Sequence, residues 1–363
     1  MAEFDIIIYG ATGFTGRLVA EYIHATYPDR PWAMAGRSAS KLAQVRDEMG
    51  LPADTPLIEA DASDPASLDA MVARARVIIT TVGPYLLYGE PLVAACVKAG
   101  TDYVDLSGEP PFMWDMIEKY NDAAKASGAR IVHSCGFDSI PFDMGVYFLQ
   151  QEAQKRFGAP LKDVKGRVRG MKGTFSGGTA ASGKETMKLA MGDPDVMKRL
   201  VSSFALTPGF EGPTQPYGNK PYEDPDFGIW VAPFVMASIN TKNVHRSNML
   251  MGHPYGTDFT YEEMMFTGKG EKGEAIAKSI AKSNPMGDDD IKPGEGPSKE
   301  ERDNGSYDLM FTGTSADKER LTVGVKGDRD PGYGSTSKML TEAANVTEEV
   351  TRIFCTNYIP CRT

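Results

Sequence analysis

The chain has 363 residues, 41% hydrophobic and 24% charged, with a formal net charge of −10. That length exceeds one compact core and suits two domains of ordinary globular composition. The acidic balance argues against a nucleic-acid partner, which would want a basic face. Four scattered cysteines (Cys96, Cys135, Cys355, Cys361) and four scattered histidines (His24, His133, His245, His253) form no CxxC or HExxH spacing, which argues against a disulfide framework and a metal centre.

The chain enters an apolar strand, Phe4–Tyr9, without a basic segment leading into an apolar one, so a cytoplasmic location is expected. The strand runs into a glycine-spaced turn, Gly10-Ala11-Thr12-Gly13-Phe14-Thr15-Gly16, and a helical pattern follows. Three glycines at interval three are more than a βα turn needs. They let backbone N–H groups approach a pyrophosphate with the positive end of a helix dipole behind them. Gly10, Thr12, Gly13, Phe14, Thr15 and Gly16 are therefore expected to bind a dinucleotide. A second strand ends in Gly36-Arg37-Ser38. An acidic residue there would bind a ribose 2′-OH. A guanidinium instead pairs with a 2′-phosphate, so Arg37, Ser38 and Lys41 point to NADP(H).

Further strands are expected at Leu57–Asp61, Val77–Val82, Tyr103–Leu106 and Arg130–Ser134, with helical patterns between them. Short apolar strands alternating with helices imply an α/β fold: a doubly wound parallel sheet of Rossmann type over residues 1–155. Ligands in such sheets sit at the carboxyl ends of the strands. The third strand's tail offers Asp61 and Ala62 to the adenine. The fourth offers Val82, Gly83, Pro84 and Tyr85 towards the nicotinamide. Candidate catalytic residues lie on the last three tails: Tyr85, Asp105, Glu109, Cys135 and Asp138. Each has a plainer reading. Tyr85 suits packing in a turn, Asp105 and Glu109 suit capping, Cys135 suits a small hydrophobe, and Asp138 lies beside the helix-capping candidates Ser139 and Asp143.

Beyond residue 160 the texture changes. Lys165–Gly173 reads as an exposed antiparallel strand, Ser176–Gly183 as a flexible turn before a helix from Lys184 to Met191, and Thr207–Phe227 as loop. Ile229–Ala237 is too short to span a bilayer and reads as a buried strand or an interfacial patch. Met286–Asn304 reads as a surface excursion. Ser306–Phe311 and Arg320–Lys326 read as antiparallel strands, and helix returns over Ser337–Ile353.

Tyrosine followed four residues later by lysine, the acid pair of short-chain reductases with a similar opening, occurs nowhere. The chain instead resembles the saccharopine dehydrogenase-like oxidoreductases and is most similar to their bacterial trans-acting enoyl reductase branch. The matching stretches are GATGFTG (10–16), AGRSASKL (35–42), TVGPY (81–85), GTDYVDLSGE (100–109), IVHSCGFDSIPFDMGV (131–146), SGGTAAS (176–182), PFVMASIN (233–240), GEGPSKEERDNGS (294–306) and DPGYGSTSKMLTEAA (330–344). The resemblance implies an NADP-binding Rossmann domain, a second α+β domain on a mainly antiparallel sheet over 156–330, and a C-terminal helix over 331–363 returning to the first. The ending after Ala344 departs from the family's pattern.

The expected activity is NADPH-dependent reduction of a C=C bond in an acyl or lipid-type enoyl substrate. The alternatives are a saccharopine-type imine reductase, for which Arg167, Arg169 and Arg246 offer carboxylate partners, and a non-catalytic NADP-binding scaffold at a lipid surface. The expected partners are a small-molecule or acyl-chain substrate, with a homodimer and a peripheral membrane contact left open.

Overall fold

A computed structural model describes residues 2–173, 177–283 and 296–349. The first sheet contains β1 (Phe4–Tyr9), β2 (Trp32–Gly36), β3 (Leu57–Glu59), β4 (Ala75–Thr80), β5 (Asp102–Val104) and β6 (Ile131–Val132). All pair in parallel, in the order β3-β2-β1-β4-β5-β6. This is the doubly wound Rossmann order, and it places the end of β1 at the crevice where the strand order reverses.

Local chemistry fixes the helices between these strands. Ser38 accepts the Lys41 N–H to start the helix Ala39–Glu48, and Asp64 accepts the Ala66 N–H to start Pro65–Val72. Gly100, Gly128 and Gly158 take the left-handed conformation that stops Glu90–Ala99, Pro110–Ser127 and Ile140–Phe157. The central strands are buried on both faces. Ile7, Tyr9, Ile78 and Tyr103 join one apolar cluster, while Ile6, Ile8, Val77 and Ile79 join the other. The helix Thr336–Glu349 belongs to the second cluster through Leu340 and Ala344. Its Glu342 accepts hydrogen bonds from the Tyr22 and Tyr27 hydroxyls at 2.6 and 2.8 Å.

The second sheet contains β7 (Asp163–Lys172), β8 (Tyr222–Asp224), β9 (Ile229–Pro233), β10 (Thr260–Gly268), β11 (Ser306–Thr314) and β12 (Arg320–Gly327), in the order β12-β11-β7-β10-β9-β8. It is antiparallel except for β7 with β10. The helices Ile140–Phe157 and Ala237–Leu250 cover one face through Phe142, Val146, Leu149 and Val244, against Tyr261 and Phe311.

Several segments differ from the sequence expectation. β7 is a central strand that pairs antiparallel with β11, and only its second half, from Arg169, is exposed as expected. Its charged residues are tolerated because they are paired: Arg167 is fully buried and donates to Asp224 at 2.8 Å and Glu262 at 2.6 Å. The run Ile229–Ala237 is not one strand. It ends at Pro233, whose ring cannot continue a ladder, and a helix begins at Ala237. The expected turn before Lys184 is instead helical from Gly177. Ser176, residues 286–295 of the expected surface excursion and the atypical ending from residue 350 lie outside the described residues. Lys299–Asp303 forms a short helix closed by a reciprocal Ser298/Glu301 cap. Among the described residues, no helix is long and apolar enough to cross a membrane, and no three His, Cys, Asp or Glu side chains are grouped so that they could hold a metal ion.

Candidate active site

The glycine turn follows β1 at the centre of the parallel sheet. The N–H groups of Gly10 and Ala11 both donate to the Ala35 carbonyl, at 3.0 and 3.2 Å, which holds the turn across the top of β2. Gly10 has φ +92°, and a Cβ there would meet Thr81 Oγ1 at 2.7 Å. A Cβ on Gly16 would lie 2.2 Å from the Gly10 carbonyl oxygen, so helix and strand approach too closely for any side chain. The helix Phe14–Thr26 opens at Gly13 with no side-chain cap and no acidic residue in its first turn. Its N-terminal amides therefore stay available for an anion, which is the fit a cofactor pyrophosphate requires.

Arg37 is exposed beyond the end of β2. Ser38 is the N-cap of the next helix and also lies 3.0 Å from Ser40 Oγ, while Lys41 extends along that helix to Gln44 at 3.3 Å. Asp61 accepts from the Ser63 N–H at 2.8 Å and its hydroxyl at 2.7 Å. These bonds hold its carboxyl below the usual range, with Arg37 contributing. Ala62 beside it is half-buried. Thr12, Thr15 and Val82 are half-buried along the same edge. The Phe14 ring is half-buried beside the turn. It packs edge-on against Tyr333 with centroids 5.1 Å apart and lies under the Arg302 guanidinium at 5.6 Å.

The tails of β4, β5 and β6 form one buried hydrogen-bonded knot. Tyr85 follows Gly83 and Pro84, and its ring is inserted between tails, not displayed in a cleft. It is 5% exposed and donates its hydroxyl to the Thr80 carbonyl at 3.1 Å. Burial and the neighbouring Asp105 push that hydroxyl well above its ordinary pKa. Glu109 accepts from the N–H groups of Tyr85 at 2.9 Å and Leu86 at 2.8 Å. Burial pushes its carboxyl up, opposed by a hydrogen bond from Ser182. Ser182 comes from the helix Gly177–Gly192, which thus lies over the Gly83–Tyr85 tail.

Asp105 is fully buried at the centre of the knot. One carboxyl oxygen accepts from the Ser107 and Ser134 amides, each at 2.9 Å. The other accepts from the Tyr103 hydroxyl at 2.9 Å and faces His133 Nδ1 at 2.7 Å. Cys135 has no exposed surface, and burial pushes its thiol well above the ordinary value. Four of the five candidates for catalysis thus come together, but in a packed scaffold. Asp138 stands apart, half-buried beyond β6, with burial pushing its carboxyl up to about 6.

Asp138 borders a polar network that sequence reasoning missed. Asn243 Nδ2 donates to Ser139 Oγ at 2.6 Å, Asn240 Nδ2 donates to Glu263 at 2.6 Å, and the Tyr261 hydroxyl donates to Glu263 at 2.8 Å. Burial pushes Glu263 up to about 8, and the charge of Asp138 adds to the rise. No local motif marks this network, because its members come from β10 and two helices. His133 was also missed, although it sits at the carboxyl end of β6, where a ligating or orienting residue is expected. The arginines that an imine-reducing site would use have other partners. Arg169 pairs with Asp308, and the buried Arg246 donates to the Leu206 carbonyl at 2.7 Å.

Residues 6–132 match the saccharopine dehydrogenase NADP-binding domain. The chain is 43% identical to a Mycobacterium tuberculosis protein named "Putative trans-acting enoyl reductase Rv2449c", over 94% of this chain and 87% of the relative. It is 39% identical to the "Trans-acting enoyl reductase" of Mycobacterium bovis, over 94% and 88%. In structure it is similar to the apo saccharopine dehydrogenase (L-Glu forming) of Saccharomyces cerevisiae. There the TM-score is 0.51 at 14% identity, covering 97% of this chain and 92% of the other, a likeness of fold.

Proposed function

The chain belongs to the saccharopine dehydrogenase-like family as an NADP-dependent oxidoreductase, and from that premise we propose that it reduces the C=C bond of an enoyl group on an acyl or lipid-type substrate. The observation that carries this reading is the similarity, along 94% of the chain, to proteins named enoyl reductases.

When bound, NADPH supplies the hydride for the carbon β to the carbonyl. The protein's part is to hold the cofactor and to place a proton on the α carbon. The glycine turn and the uncapped helix N-terminus would take the pyrophosphate, and Arg37 the 2′-phosphate. Tyr85, Asp105 and Glu109 act as positioning residues, keeping the Gly83–Tyr85 wall in place through the knot of strand tails. Cys135 serves as a buried hydrophobe. Asp138 is the proton donor in this reading, because it alone of the five candidates lies outside the buried knot and keeps part of its surface, while burial raises its carboxyl pKa. Exposed Leu87 and Tyr88 beside the Gly83–Tyr85 tail, with exposed Met187, Leu189 and Met191 on the overlying helix, give the rim an apolar character suited to an acyl chain.

The test is NADPH oxidation with enoyl thioesters of increasing chain length, with the saturated product identified by mass. Turnover that rises with chain length is expected. No turnover at any length, together with NADPH-dependent formation of saccharopine from its imine precursors, would replace this reading with the imine reductase.

A further inference from the structure

The NADP site as described so far is built from the parallel-sheet half alone. Two of the stretches that carry the family resemblance, around Gly296–Ser306 and Asp330–Ala344, lie far from it in sequence and have no part in that site. Both converge on Phe14 of the glycine turn. Tyr333 packs edge-on against the Phe14 ring at 5.1 Å. A Cβ on Gly296 would fall 2.5 Å from the same ring, so the segment before the Lys299–Asp303 helix is pressed against the turn. Arg302 places its guanidinium carbon 5.6 Å from the ring centroid.

Arg302 is held in place. Its backbone carbonyl accepts from the Asp330 N–H at 2.9 Å, and a Cβ on the neighbouring Gly305 would lie 2.2 Å from Asp330 Cα. Its Nη1 donates to the Pro297 carbonyl at 2.6 Å. Among the described residues it makes no ion pair and no other side-chain hydrogen bond, which leaves donors of its fork uncommitted.

The guanidinium forms one wall of a cleft of about 600 Å³ whose other walls include Thr12, Phe14, Arg17, Glu21 and Lys41. This cleft lies on the β2 side of the turn, where the adenosine ribose of a dinucleotide is read. Arg17 is already paired with Glu48 at 2.9 Å, and Glu21 is an acid on the wall. Lys41 and Arg302 are the cations of the cleft without an ion-pair partner among the described residues. Lys41 belongs to the helix after β2, whereas Arg302 comes from the segment leading into β11.

We propose that Arg302 completes the pocket for the cofactor's 2′-phosphate, reaching it across the glycine turn from the half of the molecule that carries the second sheet. Its planar fork suits phosphate oxygens, while its stacking on Phe14 fixes the direction of approach. Recognition of the 2′-phosphate then adds to the contact that the Gly296–Asp303 segment already makes with the turn. The inference deepens the NADP reading above and rests on it.

The test uses the full chain and two probes, adenosine 2′,5′-bisphosphate and adenosine 5′-monophosphate, measured by calorimetric titration against wild type, Arg302→Ala, Arg302→Lys and Arg37→Ala. Arg302→Ala is expected to weaken the bisphosphate about tenfold or more, as for loss of a charge-assisted hydrogen bond, with the monophosphate changed less than about threefold. Arg302→Lys should recover part of the loss. Unchanged monophosphate binding also reports that the variant is folded. Equal weakening of both probes by Arg302→Ala, or no change in either, overturns the assignment. If wild type itself fails to prefer the bisphosphate, the NADP reading fails first, and Arg37→Ala will then be equally without effect.

Discussion

Glu109 offers one carboxyl oxygen to the Tyr85 N–H at 2.9 Å and the other to the Leu86 N–H at 2.8 Å, so the tail of β5 caps the short helix Tyr85–Tyr88 that follows β4. Those two amides begin a helix whose preceding residue, Pro84, supplies no side-chain cap. The Tyr85 side of the turn is buried, and the carboxyl satisfies both amides at once.

Glu109→Ala strands both amides. We expect it to lose about 2–4 kcal/mol of stability and Glu109→Gln, which keeps one acceptor oxygen, about 1–2 kcal/mol. Urea unfolding of the three proteins measures this. An alanine variant as stable as wild type would mean that the Tyr85 and Leu86 amides do not depend on the carboxyl.

If Asp138 donates the proton, turnover should follow its acid form. With a carboxyl pKa of about 6, the donor is protonated below that pH and lost above it, so kcat falls as pH rises through about 6. Asp138→Asn should lower kcat by roughly a hundredfold and remove that limb, with NADPH affinity little changed. The pH profiles of kcat for the two proteins decide the matter. An asparagine variant that keeps the limb assigns it to another group.

Stability should also depend on pH through Glu263. Its carboxyl is raised from 4.5 to about 8 by burial, so the folded protein keeps a proton that the unfolded chain releases across that interval. The unfolded state then binds fewer protons, and the free energy of unfolding falls as pH rises from about 4.5 to 8. Glu263→Gln should flatten this decline by more than about 1 kcal/mol between pH 5 and 8. Asp143, raised to about 8 by burial, leaves a residual slope of the same sign. Urea midpoints at the two pH values give the comparison, and identical slopes would show that Glu263 is ionised in the fold.

Cys135 should be inert in the native protein. It has no exposed surface, and burial pushes its thiol well above the range where the thiolate is populated at neutral pH. Peptide mapping after brief alkylation is expected to find Cys135 unmodified in the folded chain and modified in urea. Cys135→Ala should keep activity within about threefold, since a buried cysteine packs as a small hydrophobe. Rapid native labelling, or a large loss of turnover in the alanine variant, would restore it as a candidate donor.

The first half of the molecule was legible because its signals are local. A strand, a glycine turn and a helix follow one another within about twenty residues, and each needs only its own neighbours to be recognised: Gly10, Gly13 and Gly16 by the absence of a side chain, Arg37 by its place after β2. The second sheet was harder to read. β7 looked exposed because Lys165, Arg167 and Arg169 are charged, yet Arg167 is buried by pairing with Asp224 and Glu262, residues 57 and 95 positions away.

The sequence by itself determined the parallel sheet and the NADP fingerprint, because backbone turns and strand periodicity are short-range properties. Only the tertiary structure decided how each candidate residue at the strand ends is buried and hydrogen-bonded. Tyr85, Asp105, Glu109 and Cys135 look alike as strand-tail candidates, but in the fold they are enclosed in one hydrogen-bonded scaffold, while Asp138 keeps part of its surface. Likewise, nothing near Arg302 in the sequence connects it with Gly10–Gly16, and it meets Phe14 only once the segment before β11 packs on the glycine turn. Burial and long-range pairing set exposure, proton affinity and hydrogen-bond capacity, and these depend on partners the chain brings together only by folding.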